Sequence, residues 1–390
     1  MRIVHVSLAL LGLSALAMVA CSSAEEGTIV PASNADASTP VTTEGDASNA
    51  DASAQPDGSA QPDGGNAPVV LGTVTEKGMC NKPTTLGNAK CYSATVAGCP
   101  SVPAMDVDLL VADPPTLPAK GTIIFGSGGG GGAFYEDAGN GNTVTVAMLE
   151  RLRLKGYRIV ERAWAGPPQS GQWFEGTAGP RANSCRYGTL STWIKTKFHQ
   201  NQGKFCGTGN SGGSVELAYA LTHQGRGDIF DYTLFTSGPA WRFDYQCESK
   251  PGAAWQAECD QVLAGRSWDC GGNSAPVCAI DPGIKNLVDS SWRPDTPCAT
   301  GGAANASKLL DNSPLGPGAA TDFPKTKLEF FEASNDCNNG VVPGGLAFAK
   351  RVTGMGGTPK VTILPGVGHS IHANVDGAAA IEAAMEASCK

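Results

Sequence analysis

The chain has 390 residues, 28 Lys+Arg against 36 Asp+Glu, a formal charge of −8, 13 Cys and 41% apolar residues. That apolar share can bury the core of one large domain or two ordinary ones, which excludes wholesale disorder. Residues 22–68 hold eight of the acids and no Lys or Arg; with Arg2 also set aside, residues 69–390 carry 27 basic against 28 acidic side chains, without the basic surplus of a phosphate-tracking nucleic-acid binder.

Residues 1–20 read as an export signal: Arg2 is the positive end, and Leu8 to Ala20 form a short apolar stretch ending in small residues, too short for a comfortable membrane span. The sequence LAMVAC at 16–21 resembles a bacterial lipobox, with Met18 where Leu is usual. The resemblance implies that Cys21 is acylated, becomes the first mature residue and anchors the protein to a membrane. Ser22 and Ser23 stand where enteric lipoproteins retained at the inner membrane carry Asp, which by the same resemblance implies an outer-membrane or surface location. From 21 to 68 the chain is low in complexity. NADAS recurs at 34–38 and 49–53, AQPDG at 54–58 and 60–64, and neither Leu nor an aromatic residue occurs. Such a segment cannot offset its ordering entropy and is expected to be a disordered acidic spacer, reaching about 40 Å by random-coil scaling.

The remaining domain, 69–390, contains twelve cysteines, an even number, which in an exported chain points to disulfides. No CxxC pair occurs, and the close pair His369 and His372 has no Cys nearby, so neither a metal nor an organic cofactor is implied. Five of the twelve lie between Cys247 and Cys298, so at least one must reach outside that segment if all are oxidised.

From about residue 105 strands alternate with helices. Strands are expected at 107–111, 122–125, 157–163, 204–207, 232–236, 327–333 and 361–364; helices at 143–154, 187–198, 213–222, 345–352 and 377–387. This order predicts an α/β domain, a mostly parallel central sheet with helices on both faces. Residues 239–325 break the rhythm and carry Trp241, Trp255, Trp268 and Trp292 with much Cys, Gly and Pro. They read as a disulfide-stapled, lid-like insert over the sheet's carboxyl edge, where ligands bind in such folds. The AWAGPP run at 163–168 follows a strand's carboxyl end and is expected to line the site.

Gly209-Asn210-Ser211-Gly212-Gly213 fits G-x-S-x-G between a short strand and a helix. A Ser on so tight a turn takes strained angles, needs small neighbours two positions away, and sits at a helix N-terminus whose partial positive charge favours an oxyanion. The sequence here resembles the α/β-hydrolase superfamily of esterases, lipases and relatives, over about 105–390 without the insert. Three further places carry the resemblance. FGSGGGGGAF at 125–134 is similar to the oxyanion loop, with Ser127 where His is common; the resemblance assigns one donor to Gly129 or Gly130 and the other to Gly212. In GVGHSIH at 366–372, His369 takes the place of the base, and His372 is expected to face solvent or lid. In FFEASNDCNNG at 330–340, Asp336 takes the place of the acid, with Glu332 and Asp244 as the other candidates and Cys337 a possible staple for its loop. The order Ser211, Asp336, His369 is that superfamily's order.

These residues predict a serine hydrolase that cleaves a small-molecule or polymer carboxylic ester. A catalytically silent binding module on the same fold, or a serine peptidase, stays open at this point.

Overall fold

A computed structural model describes residues 69–390 apart from 83–84, 139–141, 167–171, 249–250, 272–273, 281 and 338–339. The export signal, Cys21 and the spacer therefore lie outside the described residues. Nine strands form one sheet: β1 (Thr73–Met79), β2 (Ala89–Ala97), β3 (Met105–Ala112), β4 (Gly121–Gly126), β5 (Tyr157–Trp164), β6 (Lys204–Asn210), β7 (Tyr232–Thr236), β8 (Lys327–Ala333) and β9 (Lys360–Leu364). Their spatial order is β1-β2-β3-β5-β4-β6-β7-β8-β9. The first three ladders are antiparallel; the six strands from β5 to β9 run parallel.

The parallel strands are apolar on both sides because each face is covered by helices. Ile124, Val160, Phe235 and Phe330 face one core with the helices Cys185–Ile194, Gly212–Thr222 and Val341–Gly354. Their sequence neighbours Ile123, Ile159, Leu234 and Phe331 face the other, with Asn142–Leu154 and Val375–Ser388. The side-chain period of two thus splits each apolar run between two cores.

Two features depart from the expected pattern. β1 and β2 were not expected: β1, TVTEKGM, is an almost wholly exposed edge strand with no apolar period, and the inner strand β2 buries only the small side chains of Cys91, Ala94 and Val96; the end of β1 is pinned to β2 by Cys80–Cys91. The insert is also more ordered than its sequence implies, containing the helices Ala253–Leu263, Pro282–Asp289 and Gly302–Asp311. Cys247–Cys298 and Cys259–Cys278 staple it internally, and Cys270–Cys337 ties it to the loop after β8. Trp241, Trp255 and Trp292 are buried in the same core as Phe330 and Leu346, so the insert is continuous with the body. Cys99–Cys185 and Cys206–Cys389 complete six disulfides among the described residues.

Candidate active site

Register brings the carboxyl ends of the central strands level: Gly126 of β4 lies beside Gly209 of β6, and Asn210 beside Thr236 of β7. Ser211 follows β6 at φ 55°, ψ −116°, a region L-residues avoid, at a cost of roughly 1–3 kcal/mol. The surroundings enforce it. The Ser211 amide donates to Thr236 O (2.9 Å), Thr236 Oγ1 donates to Gly209 O (2.9 Å), and the Ser214 hydroxyl donates to Thr236 O (2.9 Å). Glycine is required on either side: a Cβ at Gly209 would lie 2.3 Å from the Gly213 carbonyl carbon, and one at Gly213 2.4 Å from Gly126 O.

The loop after β4 packs on this elbow. A Cβ at Gly128 would stand 3.3 Å from that of Ser211, and one at Gly212 1.9 Å from Gly129 O. The backbone N–H groups of Gly129, Gly130 and Gly212 donate to no acceptor among the described residues. Unpaired amides grouped beside a strained hydroxyl are what a developing oxyanion needs.

β8 and β9 bring the acid and the imidazole to the same rim. Nδ1 of His369 donates to Oδ2 of buried Asp336 at 2.7 Å, which leaves Nε2 as the acceptor nitrogen. The residue after Thr236 links this pair to the elbow: Ser237 Oγ donates to His369 O at 2.8 Å, one position from the carbonyl that holds Ser211. Ser211, Asp336 and His369 are therefore joined through the end of β7.

The other candidates lie elsewhere. His372 does not face solvent or the insert, as its sequence position implied. It is buried against Tyr135, its Nε2 lies 3.1 Å from Ala138 O, and burial pushes its imidazole down to about 4. An apolar slot under the loop takes the ring because Ile371, beside it, begins the turn into the last helix. Glu332 is wholly buried; burial, and then the Asp336 charge, hold its carboxyl well above the usual range, which disfavours the charged form that would balance an imidazolium. Asp244 is paired with Arg242 in the insert. Gly166 of the AWAGPP run lines the hollow beside the glycine loop, while 167–168 lie outside the described residues.

Three supports were not anticipated. Asp269 of the insert accepts from Gly366 N (2.9 Å) and from the Ser334 hydroxyl, joining the loops that carry His369 and Asp336; the Ser334 hydroxyl and then the Gly366 amide hold its carboxyl below the usual range. Ser237 has been described. The third is Arg162, fully buried on β5, which pairs with Glu216 and holds the glycine loop: its Nη1 donates to Gly131 O (3.1 Å) and Ser127 Oγ (3.2 Å), its Nη2 to Ser127 O (3.2 Å). Arg162, with Arg158 and Glu161 in the same buried strand YRIVERAW, and Glu216 inside the apolar helix GGSVELAYALT were the available signal, since buried charges are rare unless paired.

The mostly parallel nine-stranded sheet with helices on both faces, the strained turn after β6 and the loops after β8 and β9 at one rim define the architecture. The fold is an α/β-hydrolase fold. No family model matches the sequence, and no curated protein matches it. Similar solved structures include carboxyl esterase 2 from the mycorrhizal fungus Tuber melanosporum, at 16% identity over 80% of this chain and 90% of that one, TM-score 0.46. An esterase from the hyperthermophilic archaeon Pyrobaculum calidifontis is 14% identical over 77% and 85%, TM-score 0.47. A puromycin-hydrolyzing peptidase of Mycobacterium tuberculosis is 12% identical over 79% of this chain but only 40% of that one, TM-score 0.47.

Proposed function

We propose that the protein is a serine hydrolase acting on carboxylic esters through an acyl-enzyme, held at the cell envelope, at the outer membrane or surface, by a lipid on Cys21. The observation that carries the catalytic part is the His369–Asp336 bond at the rim where Ser211 is held strained beside unpaired glycine amides. Asp336 accepts the Nδ1 proton and fixes the tautomer. Nε2 then takes the Ser211 proton as Oγ bonds to the ester carbon. The carbonyl electron pair moves to oxygen, facing the amides of Gly212 and of Gly129 or Gly130 and the helix N-terminus. On collapse the C–O bond to the alcohol breaks, and the leaving oxygen takes the proton from the imidazolium. Water, deprotonated by the same nitrogen, attacks the acyl-enzyme; the acid departs and Ser211 regains its proton.

The test is hydrolysis of p-nitrophenyl acetate by the purified protein and by Ser211→Ala, with a peptide anilide in parallel. The proposal expects ester cleavage that disappears in the variant and anilide cleavage that is slower by orders of magnitude. Unchanged ester cleavage by Ser211→Ala would refute it, and anilide cleavage at equal rate would make the protein a peptidase. For the anchor, Cys21→Ser is expected to move the protein from the membrane fraction to the soluble one.

A further inference from the structure

Two hollows of very different size adjoin the glycine loop, and Ser211 lines the smaller one. One, of about 30 Å³, is walled by Ser211, Gly129 and Gly212 together with bulky apolar side chains, among them Phe174 and Phe243. The other, of about 550 Å³, runs along the far side of the glycine loop past Gly166 and Gln172. Only two of the residues that line them are common to both, Gly129 and Leu287. Gly129 has no side chain, so the Leu287 side chain is the partition. It sits half-buried on the insert helix Pro282–Asp289, which turns Ile284, Leu287 and Val288 toward the small hollow at the spacing of one helical face, while Gly283 and Asn286 border the large one.

The small hollow is on the acyl side. The leaving alcohol must lie within reach of the imidazole that protonates it, and His369 does not line this hollow, whereas Ser211 and the oxyanion glycines do. At about 30 Å³ against about 550 Å³ for its neighbour, the small hollow suits a methyl or ethyl tail rather than a long acyl chain. Any longer chain has to pass Leu287 into the large hollow.

We infer that the enzyme is selective for short-acyl esters, acetyl above all, and that Leu287 sets this limit by closing the acyl pocket off from the neighbouring trough. This rests on the ester-hydrolase reading above. An acetyl ester places its one methyl in the pocket. Each methylene beyond propionyl then has no apolar site to enter, which forfeits about fourfold in transition-state binding per CH₂. The alcohol is not confined by this wall, so the acyl group carries the selectivity.

The experiment measures kcat/KM for p-nitrophenyl acetate, butyrate and hexanoate on the full chain, on Leu287→Ala and on Leu287→Val, with near-UV circular dichroism to check folding. Wild type is expected to fall at least about tenfold from acetate to hexanoate. Leu287→Ala should raise the hexanoate-to-acetate ratio at least about tenfold, and Leu287→Val should raise it less. A wild-type preference for hexanoate, or a ratio unmoved in a folded Leu287 variant, overturns the inference. Leu287→Val, with the smaller volume change, decides the matter if the alanine variant does not fold. Ser211→Ala separates the two levels: Ser211-dependent hydrolysis with the wrong chain-length order defeats this inference alone, whereas loss of Ser211 dependence defeats the ester-hydrolase reading and this inference with it.

Discussion

Replacing Arg162 by Met tests how the glycine loop is held. The guanidinium has no solvent exposure, and neither does the Glu216 carboxylate it binds through Nε (2.8 Å) and Nη2. Burial pushes that carboxyl up while Arg162 pulls it back, so removing the Arg leaves a buried acid with only the Trp164 indole as partner. One-sided removal of a buried pair costs about 3–5 kcal/mol, a large part of the total stability of a typical domain. The same change deletes the bonds to Gly131 O, Ser127 Oγ and Ser127 O, so the loop loses its tether at the moment its amides are needed. Losing one oxyanion donor costs about 10²–10³ in kcat. Arg162→Met is therefore expected to lower stability by about 3–5 kcal/mol in urea unfolding, and kcat on p-nitrophenyl acetate by about a hundredfold with KM little changed. The double variant Arg162→Met, Glu216→Leu removes the orphaned acid and should regain about 1–4 kcal/mol of stability, yet kcat should stay low because the tether is still missing. If kcat returns along with stability, Arg162 acts only on the fold and the positioning argument is wrong.

Other consequences follow from single contacts. Gly209→Ala places a Cβ 2.3 Å from the Gly213 carbonyl carbon, backbone against backbone, and is expected to destabilise by at least about 3 kcal/mol, read as a fall in thermal midpoint. Asp336→Asn keeps the shape but leaves the Nδ1 proton without a carboxylate; kcat should fall by up to about 10⁴ with the near-UV spectrum unchanged, and a drop below tenfold would remove Asp336 from the assignment. Burial, and then the charge of Glu136, push Glu161 from 4.5 up to about 8. A raised acid is neutral in the fold, so its contribution is fully present below pH 4.5 and is lost as pH rises toward 8. Glu161→Gln should flatten the fall in unfolding free energy between pH 5 and 8 measured by denaturant titration; an unchanged slope would mean Glu161 is ionised in the fold.

What the sequence disclosed follows from where physical constraints are local. The elbow at Ser211 was legible because strand, turn and helix converge there and force glycine at 209 and 213. The loops of Asp336 and His369 were legible as the segments that follow two apolar strands of a repeating pattern. β1 was not, because an exposed edge strand needs no apolar alternation, and β2 was not, because the side chains it buries, Cys91, Ala94 and Val96, are small. The insert's helices are short and separated by Gly-, Pro- and Cys-rich turns, which masks them although Pro282–Asp289 and Gly302–Asp311 each carry an apolar face. His372 misled because nothing within seven residues reveals that Tyr135, more than two hundred positions away, roofs its ring. The size of the small hollow beside Ser211 is likewise a property of side chains from five separate segments and has no trace in any one of them.

The convergence of Ser211, His369 and Asp336 is tested most directly by treating the native protein with a fluorophosphonate and mapping the adduct by peptide mass spectrometry. A single phosphonylated residue is expected, Ser211, with labelling lost on heat denaturation and slowed at least about a hundredfold in His369→Ala, since the imidazole supplies the base. Labelling of another residue, or of Ser211 at an unchanged rate without the imidazole, would contradict it.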